Sequence, residues 1–295
     1  MYGCNLDHHE FNQRQSDSSC SRTTVDSCTF SDIHSSGEGG ALFISTSGQL
    51  EIEGSFFRHC STTYVAGAMS CKISGLNLTC TCYYDCFSIQ DIRSNTFHAV
   101  YIIGVNSAYV TDVSQCGFSM CPKDYSTKDE TIGFRNSCTA IFKENNFTEN
   151  LEREEMIGLD DGAKFKGSVI HCNLCKCISG LIVLTPLEAT IEKCNIVDNQ
   201  RQGDRQQLIY NGQKVILNGC VIAHNTHIGI FYYDRSDEII SCFFCGNTFT
   251  HTGSDICVPT LKLDVRDAES CKRGSYVFTT TKELALSTLF FHWLI

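Results

Sequence analysis

Apolar residues along this chain fall in short runs of three to five positions that are separated by polar turns. The runs are rich in Val, Ile, Phe and Thr and follow a period of two. Such alternation predicts β-strands, because successive side chains of a strand point to opposite faces. The i, i+3, i+4, i+7 spacing of helical repeat proteins is not followed. The pattern therefore predicts an all-β chain built from many short strands.

A six-residue phrase recurs along the chain. It begins with Cys, Asn or Ser, has Phe, Ile or Leu at its third position, and usually ends in Cys or Asn. Its copies, which start 21 to 40 residues apart, are Cys28–Ile33, Ser55–Cys60, Asn95–Val100, Cys116–Cys121, Asn145–Asn150, Cys172–Cys177, Cys194–Asn199, Cys220–Asn225 and Cys242–Asn247. A repeat of this length indicates that one small unit is stacked many times.

Each repeat holds two further apolar runs. The first includes Gly40–Ile44, Ala66–Met69, Ala140–Phe142, Gly167–Ile170, Gly180–Val183 and Gly229–Phe231. The second includes Leu50–Ile52, Val110–Val113, Ala189–Ile191, Val215–Leu217 and Glu238–Ile240. Three short strands per repeat predict a right-handed single-stranded parallel β-helix of nine to ten coils, which forms a rod of about 45 Å at about 4.8 Å per coil. The long gap between Ser55 and Asn95 is expected to hold a degenerate coil or a protruding loop.

The repeat also sets the expected domain organisation. Residues 26–258 form the β-helix, residues 1–25 a polar N-terminal segment or cap, and residues 259–295 a C-terminal cap with an apolar tail. The tail, Leu284–Ile295, is twelve residues long, whereas a membrane span needs about 20. We therefore expect a packed terminal element there, with a truncated membrane anchor as the alternative. The N-terminus has no apolar run and is not a signal peptide as written.

The phrase predicts side-chain ladders inside the rod. Its first and third positions have the same parity, so both side chains face the core. Asn side chains at equivalent positions can hydrogen-bond from coil to coil, aromatic rings can stack, and Cys fits as a small side chain that is readily buried. The predicted ladder residues are Cys172, Cys194, Cys220, Cys242, Asn150, Asn199, Asn225 and Asn247.

The chain has 20 Cys, of which eleven lie within the phrase. The spacings Cys172-x2-Cys175-x-Cys177, Cys242-x2-Cys245 and Cys80-x-Cys82 resemble zinc sites. These pairs lie far apart along the chain, however, and the ladder already accounts for several members, so we expect no metal and no cofactor. Inter-coil disulfides and reduced stacks both fit a spacing of about 4.8 Å. Cysteines outside the phrase, among them Cys71, Cys80, Cys82, Cys86, Cys138, Cys257 and Cys271, are candidates for loop or cap bridges.

Charge and motifs limit the functional classes. The net charge is −10 and Lys and Arg do not cluster, so no nucleic-acid partner is expected. The best acidic pair is Asp160-Asp161, but adjacent residues of a strand face opposite ways. His224 and His227 are interpreted as turn residues. Because no nucleotide, hydrolase or metalloprotease motif occurs either, we expect no catalytic residues.

The chain resembles a family at two elements. Gly39-Gly40-Ala41-Leu42 is similar to the GGAI element, and Phe147–Asn150 and Phe244–Asn247 are similar to the FxxN element, of chlamydial-type polymorphic outer membrane proteins and the related trichomonad β-helix surface proteins. The resemblance implies a non-enzymatic adhesion-type protein at the cell surface or outside the cell, with an unknown protein or glycan ligand. The sequons at Asn77 and Asn146 are compatible with secretion. The alternatives are a pectin lyase-like carbohydrate-active enzyme and an intracellular structural scaffold.

Overall fold

A computed structural model describes residues 3–89, 96–105, 109–122, 129–135, 138–159, 166–184, 188–200, 207–211, 214–227, 229–231 and 238–249. In these ranges the regular structure consists of β-strands, and every strand pair is parallel. Three long sheets run along the molecule. The predicted all-β parallel β-helix is confirmed.

Each of the first nine coils contributes one strand to each of three sheets, and the described part of the tenth contributes to sheets 1 and 2. Sheet 1 contains Gly3–Asp7, Arg22–Asp26, Gln49–Glu53, Gly75–Thr79, Tyr109–Ser114, Cys138–Lys143, Lys166–Ile170, Glu188–Glu192, Lys214–Asn218 and Glu238–Ile240. Sheet 2 contains Glu10–Phe11, Thr29–Ser31, Phe56–Arg58, Cys82–Tyr84, Gly117–Ser119, Asn146–Thr148, Asn173–Cys175, Asn195–Val197, Val221–Ala223 and Phe243–Cys245. Sheet 3 contains Gln15–Asp17, Leu42–Ser45, Met69–Ile73, Thr96–Gly104, Asp129–Arg135, Leu151–Leu159, Ile178–Leu184, Gln207–Asn211 and Gly229–Phe231.

Two small sheets lie where the chain leaves sheet 2. One contains His34–Ser35, Ser61–Thr62 and Phe87–Ser88, and the other contains Thr226–His227 and Thr248–Phe249. The strands of all sheets stack in register, so that Leu50, for example, lies beside Thr23 of one neighbouring coil and Leu76 of the other. A residue type repeated at one position of the coil therefore forms a column along the rod.

The core lies between the three sheets and follows the alternation seen in the sequence. In Arg22–Asp26 and Gln49–Glu53 every second residue is buried. A single connected cluster of buried apolar residues extends from Val25 to Ile222. Because each coil buries apolar side chains against the next coil as well as across the core, contacts between neighbouring coils stabilise the stack.

The structure shows which strands lie in the long gap between the copies of the phrase that were expected to start at Ser55 and Asn95. A further coil begins in this gap and consists of Gly75–Thr79, Cys82–Tyr84, Phe87–Ser88 and Thr96–Gly104. The copy of the phrase in this coil is Thr81–Cys86, whereas the expected copy at Asn95–Val100 was wrong, since Thr96–Gly104 belongs to sheet 3. Two apolar runs were also given the wrong place in the coil, because Ala140–Phe142 and Gly167–Ile170 lie in sheet 1.

A left-handed backbone conformation brackets every copy of the phrase. The residue before the phrase has φ between 50° and 63°, in the series Ser27, Gly54, Cys80, Gln115, Glu144, His171, Lys193, Gly219 and Ser241. The fifth residue has φ between 50° and 62°, in the series Asp32, His59, Asp85, Met120, Glu149, Lys176, Asp198, His224 and Gly246. One such residue turns the chain into sheet 2 and the other turns it out again, so all nine copies have the same length.

The structure describes most of the N-terminal segment expected at residues 1–25 but none of the C-terminal segment expected at residues 259–295. In residues 1–25, Gly3–Asp7 pairs with Arg22–Asp26 in the same parallel register as the later coils, so the stack extends to Gly3. The segment 259–295, with its apolar tail, lies outside the described residues. In the described part of the chain, no helix has the length and hydropathy that crossing a bilayer requires.

Candidate functional site

The first position of the phrase forms one column inside the rod, at the corner between sheets 1 and 2. Its members are Cys28, Ser55, Thr81, Cys116, Asn145, Cys172, Cys194, Cys220 and Cys242. All except Cys242 are at most 1% exposed. The four cysteines predicted for this ladder, Cys172, Cys194, Cys220 and Cys242, are thus consecutive members of one column.

Hydrogen bonds explain why Cys, Asn, Ser and Thr exchange at this position. The backbone N–H of Cys28 donates to Ser55 Oγ at 3.2 Å, and that of Cys116 donates to Asn145 Oδ1 at 2.8 Å. In return, Asn145 Nδ2 donates to the Val113 carbonyl at 2.7 Å. Each side chain therefore needs both an acceptor and a donor, which a thiol, a hydroxyl and an amide all provide.

The sixth position forms a second column, at the corner where the chain leaves sheet 2. Its members are Ile33, Cys60, Cys86, Cys121, Asn150, Cys177, Asn199, Asn225 and Asn247. Asn199 Nδ2 donates to Asn225 Oδ1 at 2.9 Å, and Asn225 Nδ2 donates to Asn247 Oδ1 at 3.0 Å. Asn150 is separated from this run by Cys177, whose sulfur lies 3.9 Å from Asn150 Nδ2. The four predicted asparagines are therefore brought into one column but not into one unbroken series.

The third position carries an aromatic stack between the two columns. Phe11, Phe30, Phe57, Tyr83, Phe118 and Phe147 follow one another with ring centroids 4.6 to 5.0 Å apart. From Phe30 onward the ring planes are within 8° of parallel. Farther along the rod Leu174, Ile196 and Ile222 take the same place and are fully buried.

The zinc-like spacing Cys172-x2-Cys175-x-Cys177 places its three cysteines at different positions of the coil. Cys172 and Cys177 lie in different columns, at opposite ends of the strand Asn173–Cys175. Cys175 has the opposite parity to the core residue Leu174, and burial raises the pKa of its thiol to about 11. Among the described residues, the ligand atoms of Cys4, Asp17 and Cys20 form a close group of three, but Cys4 and Cys20 are joined in a disulfide.

The disulfide was not anticipated from the sequence. Cys4 and Cys20 have Cα atoms 5.9 Å apart, in the usual range for a disulfide. Of the cysteines considered for loop or cap bridges, none of Cys71, Cys80, Cys82 and Cys86 is in a disulfide. The Cys138 side chain and residues Cys257 and Cys271 lie outside the described part.

The outer face of sheet 1 carries a cluster of carboxylates that sequence reasoning missed. Asp7, Asp26 and Glu53 are in register in three successive coils. In the neighbouring row Glu51 lies beside Asn77, and Asn77 lies beside Asp112. Arg22 forms an ion pair with Glu51 at 2.6 Å. The residues are far apart in sequence, so only the register shows that they form one acidic face.

The two sequons, the two histidines and the acidic pair that the sequence offered as candidates do not form one site in the described residues. The sequon residue Asn77 is exposed on the outer face of sheet 1, whereas Asn146 is 8% exposed in sheet 2. His224 is one of the left-handed corner residues, while Asp160-Asp161 and the His227 side chain lie outside the described part of the chain.

A cavity of about 440 Å³ at the corner between sheets 3 and 1 is lined by Ser18, Ser19, Ser21, Ser45, Thr46, Ser47, Lys72 and Val105. Its lining contains no carboxylate.

Fold and columns together define a parallel β-helix protein with polar and aromatic ladders in its interior. No protein-family model, curated protein or solved structure matched the chain. The fold assignment therefore depends on the strands, their register and the side-chain columns described above.

Proposed function

We propose that the protein is a non-enzymatic adhesion-type rod, at a cell surface or in the extracellular space, that binds a partner through the outer face of sheet 1. The observation that carries this proposal is the in-register acidic face formed by Asp7, Asp26, Glu51, Glu53 and Asp112. The resemblance to polymorphic outer membrane proteins and trichomonad β-helix surface proteins supports the same function.

The charge of the face indicates the chemistry of the partner. In this group of five carboxylates, Arg22 forms an ion pair with Glu51. Like charges in adjacent strands repel one another, so a partner with a basic surface relieves this repulsion on binding. A protein with a Lys- and Arg-rich patch therefore fits better than an acidic glycan. Since such contacts are partly exposed, binding should weaken as salt is raised.

Adhesion of coated beads to intact cells tests this proposal. The variant Asp26→Asn/Glu51→Gln/Glu53→Gln removes three charges from the face. The matched control Asp32→Asn/Asp85→Asn/Asp198→Asn removes three from the corner where the chain leaves sheet 2. We expect at least a tenfold loss of adhesion for the first variant and little change for the control. Equal adhesion of both variants and the unaltered protein contradicts the assigned face.

One observation favours a carbohydrate-active enzyme as the second candidate. Asp26 and Glu53 are in register in adjacent strands, whose backbones are about 4.8 Å apart, so their carboxyl groups are within reach of the separation of about 5–5.5 Å that retaining glycosidases use. They lie on an open sheet face, however, and not in the cavity lined by serines. Release of reducing ends from a panel of polysaccharides that is abolished by Glu53→Gln would establish the enzyme and overturn the adhesion proposal.

Protease treatment of intact cells tests the intracellular scaffold. The cells should express the complete natural gene, and the readout is loss of the full-length chain on an immunoblot. We expect the protein to be cleaved while a cytosolic marker remains intact. Protection of both proteins until the cells are lysed would support the scaffold instead.

A further inference from the structure

The Cys4–Cys20 disulfide joins the two ends of the first coil. Cys4 lies in Gly3–Asp7, the first strand of sheet 1, whereas Cys20 follows Gln15–Asp17, the first strand of sheet 3. The two cysteines are 16 residues apart in sequence. The bond therefore closes the first coil into a ring.

The strand Gly3–Asp7 receives little support from packing. In the described part of the chain it lies at the edge of sheet 1 and pairs only with Arg22–Asp26. Its inward-facing Leu6 is partly buried, whereas Val25, the partner of Leu6 in register, is fully buried. A repeat at the end of a solenoid gains contacts from one neighbour instead of two. Backbone pairing and the disulfide are therefore the main contacts that hold this strand.

The rest of the first coil has contacts that do not depend on the disulfide. Arg14 Nη2 donates to the Glu38 carbonyl at 2.6 Å. Phe11 stacks on Phe30, with ring centroids 4.9 Å apart. Loss of the disulfide should therefore release Gly3–Asp7 alone, and the hinge should lie between this strand and Phe11.

The two cysteines differ in how firmly they are held. The N–H of Cys20 donates to Asp17 Oδ1 at 3.4 Å, and its carbonyl accepts from Thr46 Oγ1 at 2.6 Å. Cys20 is 3% exposed, whereas Cys4 is partly exposed. Because thiol–disulfide exchange requires access to a sulfur atom, an incoming thiolate should attack Cys4. Cys20 is the fixed side of the bond, and Cys4 is the side that can move.

We propose that this disulfide is a redox switch for the acidic face, an inference that rests on the function proposed above. Reduction releases Gly3–Asp7 from sheet 1, removes the Asp7 carboxylate from the face and uncovers the edge of Arg22–Asp26. The reductant is a small-molecule thiol, RSH. Its thiolate attacks Cys4 Sγ, the Cys20 sulfur leaves and takes up the proton, and a second RSH releases Cys4 from the mixed disulfide. Two RSH are oxidised to RSSR, and two protein thiols are formed.

Hydrogen exchange followed by mass spectrometry tests the release of the strand. The full-length chain is compared before and after reduction with dithiothreitol, and with the variant Cys4→Ser/Cys20→Ser, which cannot form the bond. We expect residues 4–7 to exchange at least tenfold faster after reduction, and equally fast in the variant with or without dithiothreitol. Exchange at residues 111–113, in the middle of sheet 1, should stay the same and so shows that each sample is folded.

Two results of this measurement overturn the proposal. If exchange at residues 4–7 is unchanged after complete reduction, the bond does not hold the strand in place. If residues 111–113 also exchange faster, the bond stabilises the whole rod and does not act on one strand.

Bead adhesion tests the effect on binding separately. We expect adhesion of Cys4→Ser/Cys20→Ser to fall at least twofold, to the level of Asp7→Asn, which removes the same charge and leaves the disulfide intact. Faster exchange without a loss of adhesion overturns the control of binding. The function proposed above fails on a different result, which is normal adhesion of the variant Asp26→Asn/Glu51→Gln/Glu53→Gln.

Discussion

The backbone N–H and the side-chain amide of Asn199 both donate to one atom, Asn225 Oδ1, at 3.0 and 2.9 Å. Asn225 Nδ2 in turn donates to the Ile196 carbonyl at 2.7 Å and to Asn247 Oδ1. A single side chain thus bonds to four groups of two other coils, three of them in the coil that holds Ile196 and Asn199 and the fourth on Asn247. Because these groups are shielded from water, the cost of removing the side chain is larger than that of an ordinary surface hydrogen bond.

Replacement of Asn225 by Ala should lower the free energy of unfolding by about 1–3 kcal/mol, because the Asn199 N–H and the Ile196 carbonyl lose their partner. Asn225→Cys should cost less, since Cys177 fills the equivalent place in the same column. Urea unfolding followed by circular dichroism measures both changes. The interpretation fails if the Ala and Cys variants are equally stable.

Tyr83 lies in the middle of the aromatic stack, and its hydroxyl is buried without a hydrogen-bond partner among the described residues. Tyr83→Phe should therefore stabilise the protein by about 1 kcal/mol, since it removes an unsatisfied polar group. Tyr83→Ala should destabilise it by about 3–5 kcal/mol through loss of stacking and packing. Tyr84→Phe, at a half-buried position, is the control. A destabilised Tyr83→Phe variant would show that the hydroxyl has a partner.

Gly40 in the GGA element is required for close approach of the backbone. A Cβ atom there would lie 2.0 Å from the Gly67 carbonyl oxygen and 2.6 Å from that of Ser61. Gly40→Ala should thus cost about 1–3 kcal/mol through overpacking. At Gly75 the nearest atom would be Gln49 Cγ at 3.5 Å, so Gly75→Ala should change stability by at most about 0.5 kcal/mol. Thermal unfolding of the two variants distinguishes them, and equal melting temperatures contradict the close contact.

Thiol reactivity should follow burial. Burial raises the pKa of Cys71 well above its ordinary value, so at pH 8 its thiolate is scarce as well as inaccessible. Cys80 and Cys245 are partly exposed. Alkylation of the folded protein at pH 8, mapped by mass spectrometry, should label Cys80 and Cys245 first and leave Cys71 unmodified until urea is added. Labelling of Cys71 at the rate of Cys80 in the folded protein argues against this core.

The two sequons should differ in glycosylation. Asn77 is exposed on sheet 1, whereas Asn146 is nearly buried in sheet 2. If the protein is expressed through a eukaryotic secretory pathway, we expect a glycan at Asn77 and none at Asn146. Asn77→Gln should remove the mass of one glycan, and Asn146→Gln should leave it unchanged. A glycan on the Asn146 peptide contradicts the placement of this strand.

Much of the fold was predictable because a β-helix repeats its chemistry at every coil. Eight of the nine copies expected from the phrase mark strands of sheet 2, whereas the ninth, Asn95–Val100, fits the same pattern although Thr96–Gly104 lies in sheet 3. The copy at Thr81–Cys86 was missed because Thr81 and Tyr83 fall outside that pattern, although a hydroxyl and an aromatic ring have the same roles in the columns.

The left-handed corners, the disulfide and the acidic face depend on how the coils are placed relative to one another, which no sequence motif indicates. The left-handed corners include Ser27, Gln115, Met120 and Lys193, which share no residue type. The Cys4–Cys20 disulfide and the acidic face of Asp26, Glu53 and Asp112 both join residues that only the register brings together. The pairing register between neighbouring coils could not be predicted from the sequence, because the number of residues per repeat differs from copy to copy.

Every copy of the phrase has the same length between its two left-handed corners, so each coil presents the backbone groups of sheet 2 to its neighbours in the same register. A gene duplication that begins in one phrase and ends at the same point of the next would therefore insert a coil that fits on both sides. Rods of different length can arise from this chain by recombination alone. Each inserted coil would lengthen the rod by about 4.8 Å and so increase the distance between its two ends by that amount.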